Sequence, residues 1–144
     1  DITREEAKKR IFAWLYNPNS KDSVLDKAYD RDKIVNEYWD GSHVNTCFHR
    51  KIESDKFHAL NYIIQSTFSD IVLRQVIALD KLLEGRKTKI AFVIHDSVVL
   101  DFSKEDEQII KQIFHGFENT MFGKFKANIS TGKNFGSMKR LWIH

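Results

Sequence analysis

Residues 54–84 constrain this chain more than any other stretch. Leu60, Ile64, Phe68, Ile71, Val72, Val76, Leu79 and Leu83 recur at helical spacing, with no Gly or Pro to interrupt them. Steps of three and four keep side chains on one face, so the pattern predicts a single helix of about seven turns. Ser54 stands in the position of its cap. A helix of that length buries one stripe and needs other elements to cover it. Asn61 and Gln65 lie four apart on it, on the side of Phe57 and Phe68. Amides on a half-buried face require partners, which an internal amide network or the acceptors of a nucleic-acid groove can supply.

The rest of the chain supplies the cover. Of 144 residues, 42% are apolar and 30% charged, with eleven Phe, four Tyr and three Trp, which suits one compact globular domain rather than a disordered segment. Residues 3–16 read as a helix: Thr3 and Glu6 form a capping-box pattern, and Ala7, Ile11, Phe12 and Leu15 follow at helical spacing. Asn17-Pro18-Asn19-Ser20 stops it. Residues 21–40 predict one or two short surface helices, Asp40-Gly41-Ser42 a turn, and 43–50 short extended pieces. Residues 90–94 and 98–102 are β-rich runs separated by His95-Asp96-Ser97, a hairpin signal. Ser103 opens a further helix through Ile109, Ile110, Ile113, Phe114 and Phe117, and a strand is expected at 125–130. Gly132-Lys133-Asn134-Phe135-Gly136 reads as a turn before the closing Leu141-Trp142-Ile143-His144. The class is α+β, with helices on one face of antiparallel strands.

Cys47 is the only cysteine, which excludes an internal disulfide and suits a reducing compartment. No stretch approaches a membrane-spanning length. The chain opens at Asp1 rather than Met, so a clipped, split or partial polypeptide is expected, with no targeting segment ahead of it. The net charge of +3 is unevenly spread: residues 1–120 hold two more acids than cations, whereas 121–144 carry Lys124, Lys126, Lys133, Lys139 and Arg140 and no acid. Such an end gains by releasing counterions from a polyanion; equally, it can serve solubility alone.

Two motifs carry candidate chemistry. Arg4, Lys8, Phe12 and Tyr16 fall at four-residue intervals, placing two cations, a phenyl ring and a phenol on one stripe about 18 Å long. The cations can hold phosphates and the rings can stack on a base; alternatively the helix is simply amphipathic, with Phe12 in the core. His95-Asp96 at a hairpin turn presents a carboxylate rigidly enough to hold a metal ion, although Asp also serves turns by bonding its own backbone. His43, His49, His58, His115 and His144 show no ligand spacing that supports a metal phosphohydrolase.

Three blocks in order resemble the carboxy-terminal part of a family A DNA polymerase, the Pol I and phage-replicase class. REEAKKRIFAWLYN, with Arg4, Lys8, Phe12 and Tyr16, is similar to the nucleotide-binding fingers helix. ALNYIIQSTFSDIVLRQV at 59–76 is similar to the long palm helix, and FVIHDSVVLDF at 92–102 to the palm hairpin with its His-Asp pair. The Trp-containing end closing on His144 also fits. The resemblance covers most of 2–144, is loose between 17 and 53, and divides the chain into a fingers portion and connector at 1–53 and a palm portion at 54–144.

The resemblance implies roles. Arg4 and Lys8 neutralise the incoming triphosphate, Phe12 stacks near base and sugar, and Tyr16 sits by the nascent pair. Asn61, Gln65 and Arg50 touch the template-primer, Arg50 through its match to a Gly-Arg turn of the family. His95 lies by the primer terminus, and Asp96 binds catalytic Mg²⁺. The implied partners are primer-template DNA, dNTPs and the remaining polymerase polypeptide, in the cytoplasm of a bacterial or phage-infected cell or in an organelle, with no membrane. Departures are visible. Asn17 stands where the family has Gly, Ser97 where it has Glu, and Phe57, beside Lys56, where it often has Arg. The earlier palm strand whose Asp shares the two Mg²⁺ has no counterpart here, nor has the thumb. The chain alone is therefore expected to be inactive, and a non-catalytic nucleic-acid-binding or structural subunit is the alternative.

Overall fold

A computed structural model of the chain describes residues 2–17 and 19–142, and these fall into two compact units, 1–70 and 71–144. Pro18, Ile143 and His144, and with them the end closing on His144, lie outside the described residues.

In the first unit, helix α1 spans Arg4–Tyr16. The expected capping box forms: Thr3 Oγ1 accepts from the Glu6 amide, and the Glu6 carboxylate accepts from the Thr3 amide at 2.7 Å. The buried anchor of α1 is Trp14, while Ile11 and Phe12, expected on its apolar face, are exposed. The helix meets the core through its last turn, so only Trp14 and half-buried Leu15 reach it. Helices α2 (Ser23–Ala28) and α3 (Arg31–Tyr38) follow, capped by Asp22 and Asp30, whose carboxylates accept from the amides of Val24 and Leu25 and of Lys33. They are the two short helices the charged stretch predicts. Arg31 stacks on the Trp14 ring at 4.3 Å and donates to the Trp14 carbonyl and, at 3.3 Å, to that of Asn17. It thereby satisfies the carbonyls at the end of α1, whose last turn carries no cation. Strands β1 (His43–Asn45) and β2 (Lys51–Glu53) pair antiparallel with Val44 opposite Ile52. Trp14, Leu25, Val35, Val44, Ala59, Leu60 and Ile63 make this unit's core.

Helix α4 spans Lys56–Leu82 and contributes residues 56–70 to the first unit and 71–82 to the second. Asp55, not the expected Ser54, provides its cap: Asp55 Oδ1 accepts from the His58 amide at 2.8 Å, while the Ser54 hydroxyl donates to the Asp55 carbonyl. The buried stripe runs through Ala59, Leu60 and Ile63, leaving Ile64 and Phe68 exposed against expectation. Gly85, at φ 72, supplies the left-handed residue that turns the chain away from α4.

In the second unit, β3 (Lys89–Ile94) and β4 (Ser97–Asp101) form a hairpin with a bulge between Ile90 and Phe92. The loop holds two residues, not three, because Ser97 pairs with Ile94 and belongs to β4. The expected continuous helix after Ser103 is broken: a 3₁₀ segment covers Lys104–Ile109, and α5 begins at Ile110 and ends at Glu118. Asp106 interrupts it, with φ −102 and ψ 15, and its carboxylate accepts from the buried Thr88 amide at 2.7 Å. Leu79, Leu83, Ile109 and Ile113 form this unit's core, with Ile90, Val98 and Leu100 packed against it. The expected strand at 125–130 is replaced by two small antiparallel pairs. These are β5 (Asn119–Thr120) with β6 (Gly123–Lys124), and β7 (Ile129–Thr131) with β8 (Lys139–Leu141). The α+β class holds, but the described strands form four separate two-stranded sheets rather than one layer. Among the described residues, no helix is long and apolar enough to cross a membrane.

Candidate functional site

On α1 the four-residue spacing becomes a continuous exposed row. The Arg4 side chain is 90% exposed, with Glu5 Oε1 at 3.6 Å. Lys8 Nζ lies 5.7 Å from the centre of the Phe12 ring, within cation–π range, and Phe12 meets Tyr16 edge-on at 5.9 Å. Phe12 is 44% and Tyr16 51% exposed, so neither ring is spent on the core. Two cations above two accessible rings can receive a phosphorylated, aromatic ligand, phosphate to cation and ring to ring.

The row continues onto α4. Gln65 Nε2 donates to the Tyr16 hydroxyl at 2.9 Å, joining residues 49 apart in sequence. Asn61, one turn earlier, is 9% exposed, and its Oδ1 is buried without a hydrogen-bond partner. Neither of the two amides expected to act together is bonded to the other here. Arg50 is turned inward: its Nη2 donates to the Ser66 carbonyl at 3.0 Å and lies 3.3 Å from Asp70 Oδ1. The preceding His49 has φ 63, a left-handed backbone that few residues other than Gly adopt without strain. The Thr46 hydroxyl accepts from the amides of Phe48 and Arg50, holding that turn.

His95 and Asp96 form the two-residue turn between β3 and β4. His95 adopts φ 50, where a residue with a Cβ is strained by roughly 1 kcal/mol, an outlier of the kind that gathers at functional positions. Asp96 is exposed, and its Oδ1 accepts from the Ser97 hydroxyl at 3.2 Å. Among the described residues no group of three His, Cys, Asp or Glu side chains comes together to hold a metal ion. A single open carboxylate on a turn suits one ligand position of a shared ion, not a complete site.

Sequence reasoning missed a second polar cluster in the first unit. An open cleft of about 440 Å³ is lined by Ser42, Glu53, Ser54, Asp55, His58 and Tyr62. His58 Nδ1 is 2.9 and 3.0 Å from the two Asp55 oxygens, and its ring stacks on Tyr62 at 5.9 Å. The His58 amide and ring hold the Asp55 carboxyl below its ordinary range. The spacing of Asp55, His58 and Tyr62 was the available signal, since three and four residues bring side chains together on a helix.

Against this geometry stand the comparisons with known proteins. DNA polymerase I of Streptococcus pneumoniae serotype 4 is 30% identical in a 131-residue alignment that takes in 77% of this chain and 14% of that protein. DNA polymerase I of S. pneumoniae R6 matches to the same extent, at 30% identity. A DNA polymerase of Bacillus phage SP01 is 32% identical over 91 residues, 54% of this chain and 10% of that protein. The chain thus spans about one seventh of the length of its bacterial relatives. No family model matches it, and no solved structure does. The chain is distantly related to DNA polymerases.

Proposed function

We propose that the chain is the fingers and palm portion, from the carboxy-terminal side, of a DNA-directed DNA polymerase of the family A type. Residues 1–53 are then the fingers and connector and 54–144 the palm. The observation that carries this reading is the exposed row Arg4, Lys8, Phe12 and Tyr16, because an ordinary amphipathic helix buries such rings. The left-handed His49 before Arg50 adds support, since it holds a backbone that a Gly-Arg turn provides. In this reading Arg4 and Lys8 take the triphosphate, Phe12 and Tyr16 stack at the nascent pair, and Asn61 and Gln65 approach the primer-template. Arg50 serves the duplex by bracing α4, and His95 lies beside the primer end.

Asp96 would be one carboxylate ligand for Mg²⁺, with a second acid supplied by polypeptide outside this sequence. Mg²⁺ held there would supply the positive charge needed to activate the primer hydroxyl and to offset the departing pyrophosphate. The chain's own part is to present Asp96 on a rigid turn and to hold the triphosphate by its cations. The setting is the cytoplasm of a bacterial or phage-infected cell.

A second reading is a non-catalytic nucleic-acid-binding or structural subunit that keeps the palm scaffold. Primer extension with Mg²⁺ and four dNTPs separates the two. The chain alone gives no extension in either case. Mixed with the polymerase polypeptide that completes it, it gives template-dependent extension in the first reading and none in the second.

A further inference from the structure

The last two dozen residues have no part in the chemistry proposed above, yet they hold the molecule's strongest charge bias. Residues 121–144 contain five cations and no acid. Lys124 is engaged, with its Nζ 3.2 Å from Glu118 Oε2. The others stand around one small hairpin. In the β7/β8 pair Thr131 faces Lys139, Ser130 faces Arg140 and Ile129 faces Leu141. Alternation along a strand puts Arg140 and Trp142 on the same face, with Asn128 and Ser130 beside them. The contacts agree: the Arg140 guanidinium lies 4.0 Å from the centre of the Trp142 ring and its Nη2 donates to Asn128 Oδ1 at 2.7 Å. Trp142 is nevertheless 67% exposed, so one ring face is covered by the guanidinium and much of the indole is left to solvent.

The hairpin's loop is anchored. Gly132 allows the two ends to close, for a Cβ there would lie 2.7 Å from the Ser137 carbonyl. Phe135 packs edge-on against Phe92 of β3 at 5.8 Å. Lys133 is exposed beside that anchor. An exposed indole already oriented by a guanidinium is an arrangement that stacks one base and holds a flanking phosphate, whereas Lys139 leaves the strand on the opposite face and Lys133 stands in the loop at the far end. A duplex hides its base faces, whereas a single strand offers them. Amphipathic membrane surfaces also combine basic residues with tryptophan, but the strand face that bears Trp142 carries Arg140, Asn128 and Ser130 rather than apolar side chains.

We infer that the β7/β8 hairpin is a single-stranded nucleic-acid platform, with Trp142 as the stacking ring and Arg140 as the phosphate contact beside it. The choice of a nucleic acid over another polyanion rests on the polymerase reading, and the occupant is the unpaired template strand. The test needs neither catalysis nor a companion polypeptide, so its failure is distinct from failure of that reading.

Fluorescence anisotropy of labelled oligo-dT with the full 144-residue chain, from 50 to 200 mM salt, reads the platform directly. We expect Trp142→Ala to weaken binding about tenfold, Trp142→Phe to retain most of it, and stacking to quench tryptophan emission in the parent but not in Trp142→Ala. Arg140→Ala lowers the slope of log affinity against log salt by about 0.7, the value of roughly one phosphate contact. The charge-matched Lys27→Ala affects binding less than Arg140→Ala. Equal losses from Lys27→Ala and Arg140→Ala, no effect of Trp142→Ala, an equal effect of Trp142→Ala on blunt-duplex binding, or tighter binding to vesicles with 30% phosphatidylserine than to oligo-dT would each overturn the platform.

Discussion

The cations of α1 are the residues whose proposed work is simplest to isolate. In the completed polymerase, Lys8→Ala should lower kcat/KM for dNTP at least about tenfold, since a charge on phosphate in a closed site is worth more than about 1.4 kcal/mol. Steady-state kinetics should show that loss for all four nucleotides alike, because phosphate contacts do not read the base; a base-selective loss contradicts the role. His95 carries a different prediction. Its φ of 50 is strained for histidine and free for glycine, while glycine brings an entropic cost of similar size. His95→Gly should therefore leave urea stability within about 0.5 kcal/mol, whereas Val98→Gly in β4 should cost more than about 1 kcal/mol. Spacing in the sequence made the Arg4 to Tyr16 row and the His95-Asp96 turn legible, because local periodicity fixes both. The tie from Gln65 to Tyr16 and the inward turn of Arg50 were not, for they depend on contacts across 49 and 16 residues.

At the scale of elements, the short strands and α4 explain what Arg50 does in the folded chain. The guanidinium fastens the β1/β2 loop to α4 through Ser66 and Asp70. Arg50→Met removes that cation and leaves Asp70, whose Oδ2 is already buried without a hydrogen-bond partner, less compensated. With the guanidinium side chain 44% exposed, water screens part of the loss, and urea unfolding should show a destabilisation of about 1 kcal/mol. Unchanged stability would return Arg50 to a purely DNA-facing role. The helices themselves were readable because their caps and periods are local: the Thr3–Glu6 box and the long α4 both form. What periodicity could not reveal was which side is buried. Trp14 rather than Phe12 enters the core because Arg31 and Asp26, on α3 and α2, receive it, the indole Nε1 donating to Asp26 Oδ1 at 2.7 Å. The helix after Ser103 was misread because Asp106 is committed to Thr88, which lies 18 residues earlier.

At the scale of the whole molecule, acid should unfold the chain through specific carboxylates. Hydrogen bonding from Arg10, with the amide of Leu25, lowers the Asp22 carboxyl to about 2. The amides of Ser42 and His43 lower Asp40, and that of Thr88 lowers Asp106. Each binds a proton less readily folded than unfolded, so its stabilisation is full above the unfolded value near 4 and is lost as pH falls toward the folded value. Urea midpoints should thus fall between about pH 4 and pH 2, and Asp22→Asn should be less stable at neutral pH with a shallower acid decline. An Asp22→Asn profile parallel to the parent's would contradict this. The central claim concerns chemistry, and it meets its most direct test at Asp96. Asn matches Asp in size and serves a turn nearly as well, but it lacks the charge that balances a metal ion. Single-turnover nucleotide incorporation by the completed polymerase carrying Asp96→Asn, paired with a DNA-binding titration, is the decisive measurement. The account predicts chemistry slowed by several orders of magnitude with duplex affinity largely kept; fast incorporation by the Asn variant would contradict it.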